Sequence, residues 1–106
     1  MTETEIINKK IRPLLEGEYK MRVIKFHGNA FTEAGVADLL CCYGGLFVAM
    51  EVKKPGEEPR PNQFAFLRSV IKAGGKAGVI YTDTYQQDIH KLLENGSVHL
   101  EWNVIE

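Results

Sequence analysis

The chain has 106 residues, of which 44% are hydrophobic and 25% charged, so residues 1–106 fit a single domain and are too apolar for wholesale disorder. The net charge of −1 argues against passive coating of nucleic acid in the manner of histones. No apolar run reaches the roughly 20 residues of a membrane span, and the adjacent Cys41 and Cys42 give no disulfide framework. We therefore expect a cytoplasmic protein without a membrane segment.

The first third of the chain predicts a helix and then a strand. Apolar residues recur at helical spacing between a cap at Thr2 or Thr4 and Arg12, and Pro13 should end or kink this helix. Tyr19–His27 alternates in polarity as a strand does. The loop that follows runs to about residue 35.

The centre of the chain predicts a hairpin followed by a helix and a strand. Val36–Tyr43 and Leu46–Lys53 are apolar runs separated by Gly44-Gly45, which is typical of a two-residue hairpin turn. Asn62–Ala73 has apolar residues at core spacing for a helix, and Ala77–Tyr81 is a short buried strand.

The last quarter of the chain predicts one more helix and one more strand. Asp83 or Thr84 caps the helix and Asn95-Gly96 closes it. Apolar residues then alternate with polar ones, which predicts a final strand with one apolar face made of Val98, Leu100, Trp102 and Val104. The order α-β-β-β-α-β-α-β contains a parallel strand–helix–strand crossover, so we expect an α/β fold with a mixed sheet flanked by helices.

The hairpin register brings charged residues together. If Gly44-Gly45 is the turn, Asp38 lies directly opposite Glu51, and Lys53 is diagonal to Asp38 on the same face. Two close carboxylates suit a hard cation such as Mg²⁺, and the lysine could orient or deprotonate an attacking water. A solvated rim with a surface ion pair is the alternative that the spacing alone leaves open.

A polar residue of the following helix points toward the same place. Gln63 lies in the first turn, on the stripe that continues with Leu67 and Val70 toward the sheet. Free N–H groups at that end of a helix favour anions. A half-exposed polar residue without a role is the alternative for Gln63.

Three segments together resemble the PD-(D/E)xK nuclease superfamily, and specifically its virus-type replication–repair nuclease (VRR-NUC) branch. Gly35–Leu40 resembles the family's G-x-P-D-L-L segment, with Ala37 in place of the proline. Val48–Lys53 resembles its strand ending in E-x-K, and Arg60–Gln63 resembles the start of its helix with a glutamine. The resemblance covers roughly residues 19–93. It implies a restriction-endonuclease-like fold and a phage or prophage setting.

The resemblance also implies the parts of an active site. Asp38 and Glu51 would bind Mg²⁺ or Mn²⁺ with help from the Val52 carbonyl, Lys53 would be catalytic, and Gln63 would support the site. The family often adds a glutamate from the first helix. Glu5 is the first choice for this residue, with Glu3 next and Asn8 as the result of a different alignment.

The implied activity is metal-dependent endonuclease cleavage of DNA, selective for branched DNA or Holliday junctions. Basic residues expected to contact DNA are Lys20, Arg22, Lys25, Lys54 and Arg60. Small members of the family act as homodimers, and the apolar face of the final strand is our candidate interface, unless the first helix covers it. The alternative function is a nonenzymatic DNA- or partner-binding module on a nuclease-like scaffold. A sequence-specific restriction nuclease is disfavoured because the chain has no segment long enough for a recognition subdomain.

Overall fold

A computed structural model describes residues 1–28 and 33–100 of the chain. Its strands are β1 Arg22–Lys25, β2 Leu39–Tyr43, β3 Leu46–Lys53, β4 Lys76–Tyr81 and β5 Ser97–Val98. They form a sheet in the order β1-β2-β3-β4-β5. The pairs β1–β2 and β2–β3 are antiparallel, whereas β3–β4 and β4–β5 are parallel. The sheet is therefore mixed, as the sequence predicts.

The helices are α1 Glu3–Ile6, α2 Arg12–Gly17, α3 Pro61–Lys72 and α4 Tyr85–Asn95, and a π-helical segment, Ile7–Ile11, joins α1 to α2. Pro13 does not end the helix, because the N-terminal helical segment continues to Gly17, and the alternative expectation of a kink stays a prediction. The wider π turn, in which the Arg12 N–H donates to the Ile7 carbonyl, shifts the hydrogen-bond ladder just before the proline. Within the described ranges, no helix is long and apolar enough to cross a membrane.

The hairpin between β2 and β3 has the predicted register. Gly44 and Gly45 have φ values of +56° and +86°, the signature of a type I′ turn. Cα pairs run from Tyr43↔Leu46 at the turn to Leu39↔Met50 at the open end. The next pair beyond the ladder is Asp38 and Glu51.

Apolar side chains on the two faces of the sheet form two clusters. The first contains Ile7, Ile11 and Leu15 of the N-terminal helical segment and Ile89 and Leu92 of α4, all packed on one face. The second packs Phe64, Leu67 and Val70 of α3 on the other face. The architecture is thus a mixed sheet between helices on both sides, which confirms the predicted fold class.

Three predicted strands are shorter in the structure, and one of them, β2, begins at Leu39 rather than Val36. β1 begins at Arg22 rather than Tyr19, because Lys20 has a φ of +58° and breaks the extended chain. β5 ends at Val98, since His99 also has a φ of +58°. Val98 consequently packs in the first cluster and Leu100 in the second. The prediction that they share one apolar face is therefore wrong, and Trp102 and Val104 lie outside the described residues.

Candidate active site

Asp38 is held at the open end of the hairpin by bonds to both neighbouring strands. Its carbonyl accepts from the Phe26 N–H at 2.8 Å, just beyond β1. Its Oδ2 accepts from the Val52 N–H of β3, also at 2.8 Å. The carboxylate therefore substitutes for a backbone acceptor where the β2–β3 ladder stops, and these bonds fix it beside Glu51.

Glu51 is a buried carboxylate with one satisfied oxygen. Its side chain is 3% exposed, and Oε2 accepts from Gln63 Nε2 at 3.0 Å. The ammonium of Lys53 lies 3.7 Å from the same Oε2. Oε1 is buried and has no hydrogen-bond partner among the described residues. Since a buried oxygen without a partner is costly, Oε1 is an atom that a bound cation would satisfy.

Burial and the neighbouring carboxylate both act on the charge of Glu51. Desolvation is the larger cause and the charge of Asp38 the next, and together they raise the pKa of Glu51 to about 8, although Lys53 opposes them. A divalent cation between two such carboxylates would remove the repulsion and favour the ionised form.

Gln63 connects the start of α3 to the sheet. Its Oε1 accepts from the Arg60 N–H at 2.8 Å in a capping-box arrangement, and its Nε2 is the donor to Glu51. Because both ends of the amide are used, its orientation is fixed. The structure thus brings Asp38, Glu51, Lys53 and Gln63 together, as the sequence predicts. Val52 lies within the same stretch of β3, and the role of its carbonyl stays a prediction.

Of the two glutamates of α1, Glu3 rather than Glu5 lies near the cluster. Glu5 is exposed, and its Oε1 accepts from the Thr2 N–H at 2.8 Å while Thr2 Oγ1 accepts from the Glu5 N–H. This capping box engages Glu5 at the exposed start of α1, so the structure does not bring Glu5 to the cluster, and its role in the site stays a prediction. Burial, followed by a hydrogen bond and the charge of Glu57, raises the pKa of Glu3, and Asp38 and Lys53 also act on it.

Glu57, which no sequence motif singles out, is hydrogen-bonded to Glu3 near the cluster. Asn8, the other first-helix candidate, does not lie there. Glu57 follows the turn after β3, where its Oε1 accepts from the Lys54 N–H at 3.2 Å. The Lys-Pro-Gly sequence before Glu57 predicts a turn that folds this segment back, and that turn was the signal that could have pointed to Glu57. Asn8 instead lines a groove between the N-terminal helical segment and β1.

Asp38 lines a cleft of about 470 Å³. Asp38, Gln63, Arg60, Gly35 and Asn62 are among the residues that line it. Gly35 has a φ of +81°, and a Cβ there would lie 2.5 Å from the Asn62 carbonyl oxygen. The chain before β2 is therefore in close contact with the first turn of α3. This contact fixes the position of one side of the cleft relative to the other.

The predicted DNA contacts do not form one surface. Arg60 lines the cleft with Asp38, and Lys54 is exposed directly after β3. Arg22 and Lys25 line the separate groove beside β1. Lys20 precedes β1 at the end nearer the hairpin turn, so the structure does not bring it to the cleft.

The donor set fits a cation that needs few protein ligands. Within residues 1–28 and 33–100, no three His, Cys, Asp or Glu side chains are grouped so that they could hold a metal. Mg²⁺ commonly takes one or two carboxylates and completes its shell with water and phosphate oxygens. The Asp38–Glu51 pair with its unpartnered Oε1 meets that requirement.

The fold is shared with solved nuclease structures. A structure described as a VRR_NUC domain is 23% identical, covers 88% of this chain and 95% of its own, and gives a TM-score of 0.64. A second, described as a VRR_NUC domain protein, is 21% identical over 94% of both chains, with a TM-score of 0.58. Hjc from Archaeoglobus fulgidus, a Holliday junction resolvase, is 20% identical, covers 70% of this chain and 66% of its own, and gives a TM-score of 0.51.

These likenesses show that the chain has the VRR_NUC fold, of the restriction-endonuclease type predicted from its motifs. No protein-family model matches the chain, and no curated relative does.

Proposed function

We propose that the chain is a VRR-NUC endodeoxyribonuclease that requires Mg²⁺ or Mn²⁺. The observation that carries the proposal is the buried Glu51 carboxylate, whose Oε1 has no partner in the described part of the chain while Asp38 stands beside it. This arrangement is unfavourable for a merely structural ion pair. It suits a site completed by a divalent cation and a phosphate oxygen.

Each side chain of the cluster has a role in phosphodiester hydrolysis. Asp38 and Glu51 would hold the ion with the Val52 carbonyl, and a bound ion would polarise the phosphate and lower the pKa of the attacking water. Lys53 stands at 3.7 Å from Glu51 Oε2, close enough to orient that water or to offset charge on the phosphate. Gln63 keeps Glu51 in its rotamer. Glu3, rather than Glu5, is the first-helix carboxylate that supports the site.

We further propose that the substrate is branched DNA. The support is the fold shared with a Holliday junction resolvase and with two VRR_NUC structures. The proposal includes a homodimer, because paired cuts in a symmetric junction need two sites and each chain would supply one Asp38–Glu51 pair. It also places the protein in the cytoplasm, a reducing compartment suited to the free thiols of Cys41 and Cys42.

Cleavage of matched linear, flap and four-way-junction DNAs tests the activity. We expect cutting with Mg²⁺ or Mn²⁺, none in excess chelator, and a preference for branched DNA. Asp38→Asn and Glu51→Gln should abolish cutting without unfolding the protein, whereas Asp83→Asn, at an exposed carboxylate, should not. Full activity of either site variant, or in chelator, would refute the proposal. Junction binding by the wild type without any cleavage would favour the nonenzymatic module instead.

Sedimentation at micromolar concentration tests the homodimer. A species of twice the chain mass is expected, and a strictly monomeric protein that still cuts both strands of a junction would contradict it.

A further inference from the structure

The segment that follows β1 separates the cleft at Asp38 from a second cleft. It is a groove of about 420 Å³ between the N-terminal helical segment and the edge strand β1. The helical wall presents polar side chains at four-residue intervals, and the strand wall carries two basic side chains beside the apolar Val23 and Ile24. The residues that matter here are Thr4, Asn8, Arg12, Arg22, Lys25 and His27.

The charge of the groove differs from that of the whole chain. Arg12, Arg22 and Lys25 carry three positive charges, and no acidic residue is among those lining the groove in the described part of the chain. Arg12 is paired with Glu16, whose Oε2 accepts from Arg12 Nε at 3.2 Å. In a protein with a net charge of −1, this is a local concentration of cations that favours an anion.

The two arginines are held in place by one backbone atom. Arg12 Nη2 and Arg22 Nη1 each donate to the Val23 carbonyl at 3.2 Å. Because β1 is the edge of the sheet, these guanidiniums cover a carbonyl that could otherwise pair with another strand. A guanidinium has five N–H donors, so each arginine retains donors for a phosphate after making this bond. The geometry therefore disfavours strand addition by a second copy and favours phosphate binding.

The groove is close to the catalytic cleft and separate from it. Phe26 lines the cleft, and its N–H donates to the Asp38 carbonyl. Lys25 and His27, on either side of Phe26, line the groove. A single DNA strand lying in the cleft would have to cross this ridge to reach the groove, whereas two strands that diverge at a branch could occupy one side each.

We propose that the groove lined by Arg12, Arg22 and Lys25 binds the sugar–phosphate backbone of a second DNA segment, distinct from the strand that enters the cleft at Asp38. This inference rests on the proposed function, and it assigns the selectivity for branched DNA to a site that takes no part in the chemistry.

Binding without metal isolates the groove, because the cleft then lacks the cation that would hold a phosphate beside Asp38. The experiment measures fluorescence anisotropy of a labelled four-way junction and of a linear duplex of equal length, in chelator, over a series of NaCl concentrations. The test variant is Arg22→Gln/Lys25→Gln. The control, Lys72→Gln/Lys91→Gln, makes the same charge change at exposed positions of α3 and α4.

We expect the test variant to lose roughly tenfold or more in junction affinity and about two units in the salt slope, one for each phosphate contact removed. Affinity for the linear duplex should change far less. Unchanged junction affinity, equal losses on both DNAs, or the same loss in the control would each overturn the inference.

A second measurement uses the unaltered protein and so does not depend on the folding of a variant. Neutral methylphosphonate linkages in the uncut arms of the junction should weaken binding by the wild type, and the same number of linkages in the linear duplex should have little effect. Equal weakening of both DNAs would overturn the inference. Failure of the wild type to cut any DNA, with these binding results intact, would reject the nuclease and leave the groove as a DNA site.

Discussion

Gln63 Nε2 donates to Glu51 Oε2 at 3.0 Å, and Gln63 Oε1 accepts from the Arg60 N–H at 2.8 Å. One side chain thus closes the first turn of α3 and holds the carboxylate of β3. The remaining oxygen of Glu51, the unpartnered Oε1, is then the atom left for a ligand. The hydrogen bond that caps α3 and the hydrogen bond that positions Glu51 are therefore both made by the Gln63 side chain.

Gln63→Ala should weaken both the fold and the site. It removes the donor to a buried carboxylate, which typically costs about 1–3 kcal/mol. It also frees Glu51 to leave its rotamer, so a higher Mg²⁺ concentration should be needed for half-maximal cleavage. Chemical denaturation and a Mg²⁺ titration of cleavage measure the two effects.

Asn62→Ala is the matched control, because Asn62 is an exposed neighbour in the same helical turn. It should leave the Mg²⁺ requirement unchanged. If Gln63→Ala lowers stability while the Mg²⁺ requirement stays at the wild-type value, Gln63 only caps the helix.

Substitution of two adjacent lysines should separate an effect on turnover from an effect on DNA affinity. Lys53→Ala should lower turnover by roughly 10²-fold or more, as is typical for groups that transfer protons, with a much smaller change in DNA affinity. Lys54→Ala should instead reduce affinity and the salt slope by about one unit while leaving turnover at saturating DNA intact. Single-turnover cleavage combined with equilibrium binding distinguishes them. A fall in affinity that matches the fall in turnover for Lys53→Ala would make Lys53 a phosphate contact alone.

The centre of the site could be predicted because it depends on local rules. Gly44-Gly45 selects a type I′ turn, this turn fixes the register, and the register places Asp38 beside Glu51. Helical spacing similarly put Gln63 on the side of α3 that faces the sheet. Each step used residues that are close in the chain.

The parts in which the structure differs from the sequence prediction depend on competition between local and tertiary contacts. Glu5 has the right spacing for the site, but Thr2 engages it in a capping box and leaves Glu3 near Asp38. The final strand alternates correctly in sequence, yet a positive φ at His99 turns the chain so that Leu100 packs under α3. Neither outcome is visible in hydrophobic periodicity.

Stability of the metal-free protein should depend on the protonation of Glu51. Its folded pKa is raised from 4.5 to about 8, so the proton is held more tightly in the folded state than in the unfolded one. The contribution of this group to stability is therefore full below about 4.5 and is lost as the pH rises through about 8. Glu51→Gln removes the titration, and in chelator this variant should gain stability relative to the wild type across that range.

Denaturation of both proteins in chelator at several pH values measures the effect. Asp83→Asn, at an exposed carboxylate, is the control and should run parallel to the wild type. A constant difference between Glu51→Gln and the wild type at every pH would contradict the raised pKa.

Close contact between the chain before β2 and the first turn of α3 should make Gly35 intolerant of a side chain. Gly35 and Gly56 have similar φ values, +81° and +87°, so alanine at either position pays the left-handed backbone cost of about 1–2 kcal/mol. At Gly35 the new Cβ would also lie 2.5 Å from the Asn62 carbonyl oxygen, whereas at Gly56 it would meet nothing within 4 Å. Gly35→Ala should therefore destabilise the protein more than Gly56→Ala does. It should also reduce cleavage, because relief of the clash displaces Asp38 relative to Gln63. Urea denaturation and cleavage of the two variants side by side check this, and equal losses of stability would show that the contact with Asn62 is not tight.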